Sequence, residues 1–108
     1  MQVQFQTDNY IEGTEARAQW ASSSINSALA RFSDQITRVQ VHVSDENAGK
    51  KNKEDSIQCT LEVRLDGFQP LGLKHHGPNL NQAIEGAAEK MVRLIESTLG
   101  KAARAYAN

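Results

Sequence analysis

Apolar and polar residues alternate along four stretches of this chain. In the first stretch Val3 and Phe5 point to one side and three glutamines to the other, which is typical of a half-buried β-strand. The same two-residue period predicts four strands at residues 2–6, 36–44, 57–65 and 71–76. Gly67 is expected to form a turn between the last two strands. Because each strand has one apolar and one polar face, other elements are expected to cover the sheet on one side only.

Two segments follow a helical period instead. Between residues 15 and 32 the apolar side chains share one face of a helix, which Thr14 is expected to cap. A longer helix is expected at residues 80–104, where Asn79 and Gln82 resemble a capping box. The chain therefore contains two candidate helices, one near each end.

The predicted order of elements is β-α-β-β-β-α. One helix connects the first two strands, so these are expected to run parallel with a right-handed crossover, while the remaining strands form a meander. Both helices must cover the apolar face of the sheet. The predicted fold class is α+β: a two-layer sandwich of a four-stranded mixed sheet with both helices on one face, in a single domain over residues 1–108.

The final helix carries its side chains in three separate stripes. The apolar stripe, expected to face the sheet, contains Ile84, Ala87, Ala88, Met91, Leu94, Ile95, Thr98 and Leu99. The acidic stripe contains Glu85, Glu89 and Glu96. The basic stripe contains Lys90, Arg93, Lys101 and Arg104, with Ser97 among them. If the helix ends at Gly100 instead, Lys101 and Arg104 lie on a flexible tail.

The separation of the charges in this helix is informative. A solvent-exposed helix ordinarily mixes opposite charges at i,i+4, so a stripe of cations that stands apart favours a surface for contacting phosphates. The alternative is a solvated face whose charges segregate by chance. Both interpretations are compatible with the sequence.

Composition limits the kinds of partner. The chain has 108 residues, 39% of them hydrophobic, and two prolines, which is typical of a folded domain and not of disorder. No run approaches the roughly 18 apolar residues of a membrane span, and no secretory signal is visible. The lone Cys59 has no internal disulfide partner, which fits the cytoplasm. With a net charge of −1, any RNA contact must be made by a local patch.

The sequence shows no pattern typical of catalysis, so an enzyme and a cofactor are not expected. His75 and His76 are adjacent on a strand and point to opposite faces, which is poor geometry for one metal ion. Cys59 alternates inward and is expected in the core. Trp20 lies off the apolar stripe of the first helix, where it is either a stacking platform for an unpaired base or a cap on the core.

Further basic side chains lie outside the final helix. His42, Arg38 and Lys74 share the predicted polar face of the sheet, where they form either a modest RNA contact or an ordinary surface. Residues 45–55 are expected to form a solvent-exposed loop, rich in Asn, Gly and acidic residues. Its cations, which are either solvated or in transient contact with RNA, are Lys50, Lys51 and Lys53.

Three runs of this sequence are similar to those of a known family. They are SDQITRVQVHVSDEN at 33–47, LEVRLDGFQPLGLKHH at 61–76 and LNQAIEGAAEKMVRLIESTLG at 80–100. They resemble the ribosome hibernation-promoting factors, also called ribosome-associated translation inhibitors or sigma-54 modulation proteins. The resemblance covers nearly the whole chain, keeps the order of elements and is to the short form of the family.

The resemblance implies a function as well as a fold. Members of the family fold like a double-stranded-RNA-binding domain with an added first strand. They are cytoplasmic and bind the 16S rRNA of the small ribosomal subunit in the channel used by mRNA and tRNA, which inhibits translation and promotes ribosome hibernation in stationary phase or under stress. The alternative is a protein-interaction or regulatory module on the same fold, outside the ribosome. Neither a membrane nor a small-molecule substrate is expected as a partner.

Individual basic residues can be carried over from the family by position. Lys90 and Arg93 match its basic positions on the last helix. Arg31 and Lys74 match basic positions near the end of the first helix and before the last one. With the rest of the basic stripe and Arg38 on the polar face of the sheet, the candidate RNA-binding residues are Arg31, Arg38, Lys74, Lys90, Arg93, Lys101 and Arg104.

Overall fold

The structure, a computed structural model, describes residues 2–7, 15–45 and 57–107, with side chains except at Glu15 and residues 104–107. Its elements are β1 (Gln2–Thr7), α1 (Glu15–Leu29), a 3₁₀ turn (Ala30–Phe32), β2 (Ile36–Asp45), β3 (Ile57–Leu65), β4 (Leu71–Gly77) and α2 (Leu80–Ala107). The predicted order β-α-β-β-β-α is confirmed. Thr14 and the lysines of the predicted loop lie outside the described residues.

The four strands form one mixed sheet in the order β1-β2-β3-β4. β1 runs parallel to β2, and β2, β3 and β4 are antiparallel neighbours, as the sequence predicted. Between β3 and β4, Gly67 adopts a φ of 83°, a left-handed conformation that favours glycine. In this turn the N–H of Phe68 donates to the carbonyl of Leu65 at 3.1 Å. The predicted turn is therefore confirmed.

Both helices cover the same face of the sheet. α1 packs on β1 and against α2, while α2 packs on β3 and β4. Between the layers lies a continuous core whose fully buried side chains include Ile25, Leu29, Val39, Val41, Val43, Cys59, Leu61, Val63, Ile84, Met91 and Ile95. Each large apolar side chain buried in this way stabilises the fold by about 1.5–3 kcal/mol. The apolar stripe of α2 is thus held on the sheet, and its other faces point to solvent.

The first helix is shorter than its apolar pattern. The pattern continues to Phe32, but the backbone leaves the α-helical conformation at Leu29 and tightens into the 3₁₀ turn. Phe32 is still buried in the core. The tightened turn keeps the apolar face continuous while it directs the chain towards β2.

A bulge at Thr37 changes the face that β2 presents. Ile36 pairs with Leu65 and Arg38 pairs with Arg64, so Thr37 is an extra residue between these two pairs. Ile36 and Arg38 are two positions apart, which in a regular strand places them on the same face. The bulge instead lets Ile36 enter the core while Arg38 lies on the polar face.

Asn79 caps the start of α2, as its sequence predicts, but the second bond of the pair joins the two side chains and does not involve the Asn79 backbone N–H as a full capping box would. The backbone N–H of Gln82 donates to Oδ1 of Asn79 at 2.8 Å, and the Asn79 side-chain amide donates to Oε1 of Gln82 at 3.2 Å. At the other end the helix continues through Gly100 to Ala107. The alternative of a flexible tail after Gly100 is therefore wrong, and the last two cations of the basic stripe are part of the helix.

Candidate nucleic-acid interface

The basic stripe of α2 is exposed along its described length. Lys90, Arg93 and Lys101 are all solvent-exposed, and so is Ser97 between them. Successive members are three or four residues apart, so they lie on one side of the helix over about 16 Å of its axis. Within the described residues, no carboxylate forms an ion pair with any of these three cations. The stripe is therefore a row of charges available to an external partner.

The acidic stripe lies on the side of α2 that faces α1. Glu85 and Glu89 line an open groove between the helices together with Ser24 and Ala28 of α1, and Arg93 reaches the same groove. This placement separates the two signs of charge in space. The carboxylates border the junction of the helices, and Arg93 marks the boundary with the basic stripe.

α2 lies close to β4 at Gly86, one turn before Lys90 on the same side of the helix. A Cβ at Gly86 would be 2.8 Å from Cε1 of the His75 imidazole and closer still to two other ring atoms. His75 therefore points towards α2, while His76 is exposed on the other face of the sheet. The prediction that these histidines diverge is confirmed. Among the described residues, no three His, Cys, Asp or Glu side chains gather as a metal site would require.

Arg31 is held by the protein itself. Its guanidinium donates to Oε1 of Glu96 on α2, in an ion pair whose side chains are 60% and 52% exposed. The guanidinium carbon also lies 4.8 Å from the centre of the Phe32 ring. Arg31 thus joins the end of the first helical segment to α2 and does not extend the basic stripe. Its contact with RNA stays a prediction.

Arg38 and Lys74 lie on the open face of the sheet, opposite the helices. Arg38 is half-buried and donates from its guanidinium to Oε1 of Gln4 at 3.0 Å. Lys74 is exposed and lies beside Thr60 on the neighbouring strand. The seven candidate residues therefore do not form one surface, because the sheet separates these two from the basic stripe.

Two side chains with open interpretations are part of the core region. Trp20 is half-buried and packs against the core. This placement favours its role as a cap on the core over that of an exposed stacking platform. Cys59 is fully buried, and burial raises the pKa of its thiol to about 12. Its predicted place in the core is confirmed, and at neutral pH the thiol is neutral and unreactive.

Sequence reasoning missed Arg64 as a candidate. Alternation places it on the polar face, but its position directly opposite Arg38 depends on how β2 and β3 are paired. That pairing spans the segment between the two strands and is shifted by the bulge at Thr37. Nothing in the local sequence pattern sets it, so only the assembled sheet brings the two arginines together.

The fold and the exposed cations define a class: a two-layer α+β domain with a basic stripe on one of its helices. Residues 3–103 match the model of the family described as sigma 54 modulation protein / S30EA ribosomal protein. The chain belongs to this family of ribosome-associated factors, which confirms the resemblance seen in its sequence. In the described parts of the chain, no helix has the length and apolar character needed to cross a membrane.

Solved structures with the same fold include two that are similar to this chain over most of its length. One is the N-terminal domain of Protein Y from Thermus thermophilus, with a TM-score of 0.70, 19% identity, and coverage of 91% of this chain and 99% of that one. Another is a ribosomal subunit interface protein from Coxiella burnetii, with a TM-score of 0.71, 12% identity, and coverage of 93% and 99%. At these identities the likeness is one of fold. A comparison with curated protein sequences gives no match.

Proposed function

We propose that this protein binds the 16S rRNA of the small ribosomal subunit through the basic stripe of α2 and inhibits translation by occupying the channel for mRNA and tRNA. Membership in a family of ribosome-associated factors supports the partner. The observation that carries the mode of binding is the row of exposed cations at Lys90, Arg93 and Lys101, none paired with a carboxylate of the described residues.

The chemistry of such a contact suits these side chains. Each cation that neutralises a phosphate releases counterions into solution. Because this release is less favourable at high salt, each such contact lowers the logarithm of affinity by about 0.7–0.9 for each tenfold rise in salt. Arg93 has the geometry to hydrogen-bond two phosphate oxygens, whereas Lys90 acts as a point charge. Because the net charge of the chain is −1, attraction to RNA depends on local groups of cations such as this stripe. The patch then also sets the orientation of the bound protein.

Inhibition by occupancy needs no reacting group. The stripe lies on a helix whose opposite face is fixed in the core by Ile84, Met91 and Ile95. A rigid element presents its side chains at constant spacing, which favours binding to a fixed RNA surface. We infer that the protein acts in the cytoplasm by keeping ribosomes idle, in stationary phase or under stress, and that it does not act as an enzyme.

Sucrose-gradient sedimentation of lysate from resting cells tests this function. The protein is expected to migrate with 30S or 70S particles at low salt and to leave them when salt is raised. The double variant Lys90→Glu, Arg93→Glu should lose both this migration and the inhibition of translation in vitro. Circular dichroism checks that the variant keeps its fold.

A matched control comes from the same helix. The double variant Glu85→Gln, Glu89→Gln changes two exposed residues of the acidic stripe and should still migrate with ribosomal particles. If the folded Lys90→Glu, Arg93→Glu variant binds and inhibits like the wild type, the basic stripe is not the interface. Wild-type protein that stays at the top of the gradient at low salt would favour the non-ribosomal interaction module instead.

A further inference from the structure

Two arginines face each other on the open side of the sheet. Arg38 of β2 pairs directly with Arg64 of β3, and within the described residues neither has an ion-pair partner. Like charges directly opposite on neighbouring strands destabilise a sheet. The nearest acid in the register is Glu62, one step along the same face, where it pairs with Gln40. This arrangement leaves the two guanidinium groups without a counter-ion from the described part of the chain.

The backbone and its neighbours hold this pair in place. The bulge at Thr37 directs Arg38 to the open face, and the Thr37 hydroxyl donates to the carbonyl of Arg64 at 3.2 Å. Oε1 of Gln4 accepts from Arg38 at 3.0 Å and from the Gln40 side chain at 3.3 Å. Nε of Arg38 is buried and has no hydrogen-bond partner among the residues that the structure describes. Neutral groups thus orient Arg38 while one of its donors stays unsatisfied.

A depression in the open face of the sheet lies next to the arginine pair. Its lining consists of Gln4, Gln6, Gln40, Val41, His42, Thr60 and Glu62. Three amides and one hydroxyl are among these side chains, and they supply both donors and acceptors. On the β4 side the depression is open, because Gly72 lies opposite Glu62 and, its two chain neighbours apart, no atom of the described residues comes within 4 Å of the position of its Cβ.

We propose that the open face of the sheet is a second RNA-binding surface, in which Arg38 and Arg64 bind a phosphate of a single strand and the adjacent depression contacts its base. Paired arginines offer the planar donors that suit phosphate oxygens. An unpaired base presents hydrogen-bonding edges that match the amides. Exposed Lys74 lies on the same face and is placed for a neighbouring phosphate.

A single RNA strand fits this surface better than a phosphorylated peptide. A peptide is normally anchored by apolar side chains, and the single apolar residue of this lining, Val41, has its side chain buried in the core. This surface lies on the opposite side of the sheet from the basic stripe of α2. The domain would then contact two RNA segments at once, and binding at the sheet does not depend on binding at the stripe.

NMR titration of the labelled protein with a short oligouridylate tests this surface. The expected result is a set of amide shifts in β2 and β3, centred on Arg38 and Arg64. The variant Arg64→Gln replaces the exposed member of the pair and should weaken binding severalfold. Because Arg38 still contacts the same phosphate, the salt slope should fall by less than about 0.7, the value for losing a whole phosphate contact on a single strand. Lys74→Gln provides a second exposed variant, and circular dichroism verifies both folds.

The matched control is Arg17→Gln, which removes an exposed arginine from α1 in the other layer and should leave the shifts in the sheet unchanged. Equal effects of Arg17→Gln and Arg64→Gln would overturn the proposal, and so would shifts confined to α2. Inorganic phosphate should bind more weakly than the oligouridylate. If phosphate or a phosphoserine peptide binds this face as well or better, RNA is not its ligand.

The proposal for the basic stripe and the proposal for the sheet surface can be refuted separately. The variant Lys90→Glu, Arg93→Glu should lose migration with ribosomes but keep the oligouridylate shifts in β2 and β3. If those shifts vanish in a folded variant, the sheet surface is not independent and this inference is overturned, while the proposal for the stripe stands. If the shifts persist but wild-type protein does not migrate with ribosomes, the proposed function fails and the RNA surface remains.

Discussion

Gly86 marks a close approach of α2 to β4, and adding a methyl group there tests how the helix is seated. A Cβ at this position would lie 2.8 Å from Cε1 of His75, with two other ring atoms closer still. Cβ atoms in proteins essentially never lie within 3.0 Å of a heavy atom from another part of the chain, so either the imidazole or the helix must move. We therefore expect Gly86→Ala to destabilise the protein.

Two opposing effects set the magnitude. Alanine is favoured over glycine in a helix interior by about 1 kcal/mol. Overpacking a filled site costs about 1–3 kcal/mol. The expected net loss for Gly86→Ala is about 1 kcal/mol, which lowers the Tm by roughly 4–8 °C in a domain of about this size.

The background variant His75→Ala separates these effects. Without the imidazole, Gly86→Ala should stabilise the protein by about 1 kcal/mol, the full gain in helix propensity. The double-mutant cycle is then expected to show a coupling of about 2 kcal/mol between the two positions. Urea unfolding of all four proteins, followed by circular dichroism, measures each free energy with its m-value.

One result would refute this reasoning. If Gly86→Ala stabilises the wild-type protein as much as it stabilises the His75→Ala protein, the imidazole does not limit the approach of the helix. The close contact between α2 and β4 would then place no constraint on residue 86. An unchanged m-value in every variant is needed for the comparison to hold.

Three further predictions concern charge and burial. Replacing both Lys90 and Arg93 by Gln should reduce the salt slope of ribosome affinity by about 1.4–1.8, and an unchanged slope in filter binding would show that neither touches phosphate. Glu96→Gln breaks an exposed ion pair, so it should change the free energy of unfolding by less than about 1 kcal/mol. The same variant frees Arg31 and should raise ribosome affinity, and unchanged affinity would argue against an Arg31 contact. Burial raises the pKa of Cys59 from 9.0 to about 12, so the stability that this thiol contributes is present below pH 9.0 and is lost as pH rises towards 12. Cys59→Ala should lack this part of the alkaline dependence of unfolding, and rapid alkylation of the native thiol near neutral pH would contradict the burial.

The elements and their exposed faces followed from local patterns. Alternation at Val39, Val41 and Val43 identified the inward face of β2, and the helical period of α2 was enough to separate its acidic, basic and apolar stripes. Local steric and hydrogen-bonding rules determine these features, as they do the N-cap at Asn79. Lys90 and Arg93 are exposed in the structure because they lie opposite the apolar stripe that docks on the sheet.

The grouping of side chains from distant segments was decided only by the tertiary structure. The bulge at Thr37 turns Arg38 to the open face and sets it opposite Arg64, and the packing of α1 against α2 brings Arg31 to Glu96. Strand register and helix packing depend on how the whole core fills, and a single residue shift in pairing alters every neighbour across the sheet. The sequence by itself therefore determined which faces are charged, whereas the assembled core decided which charges meet.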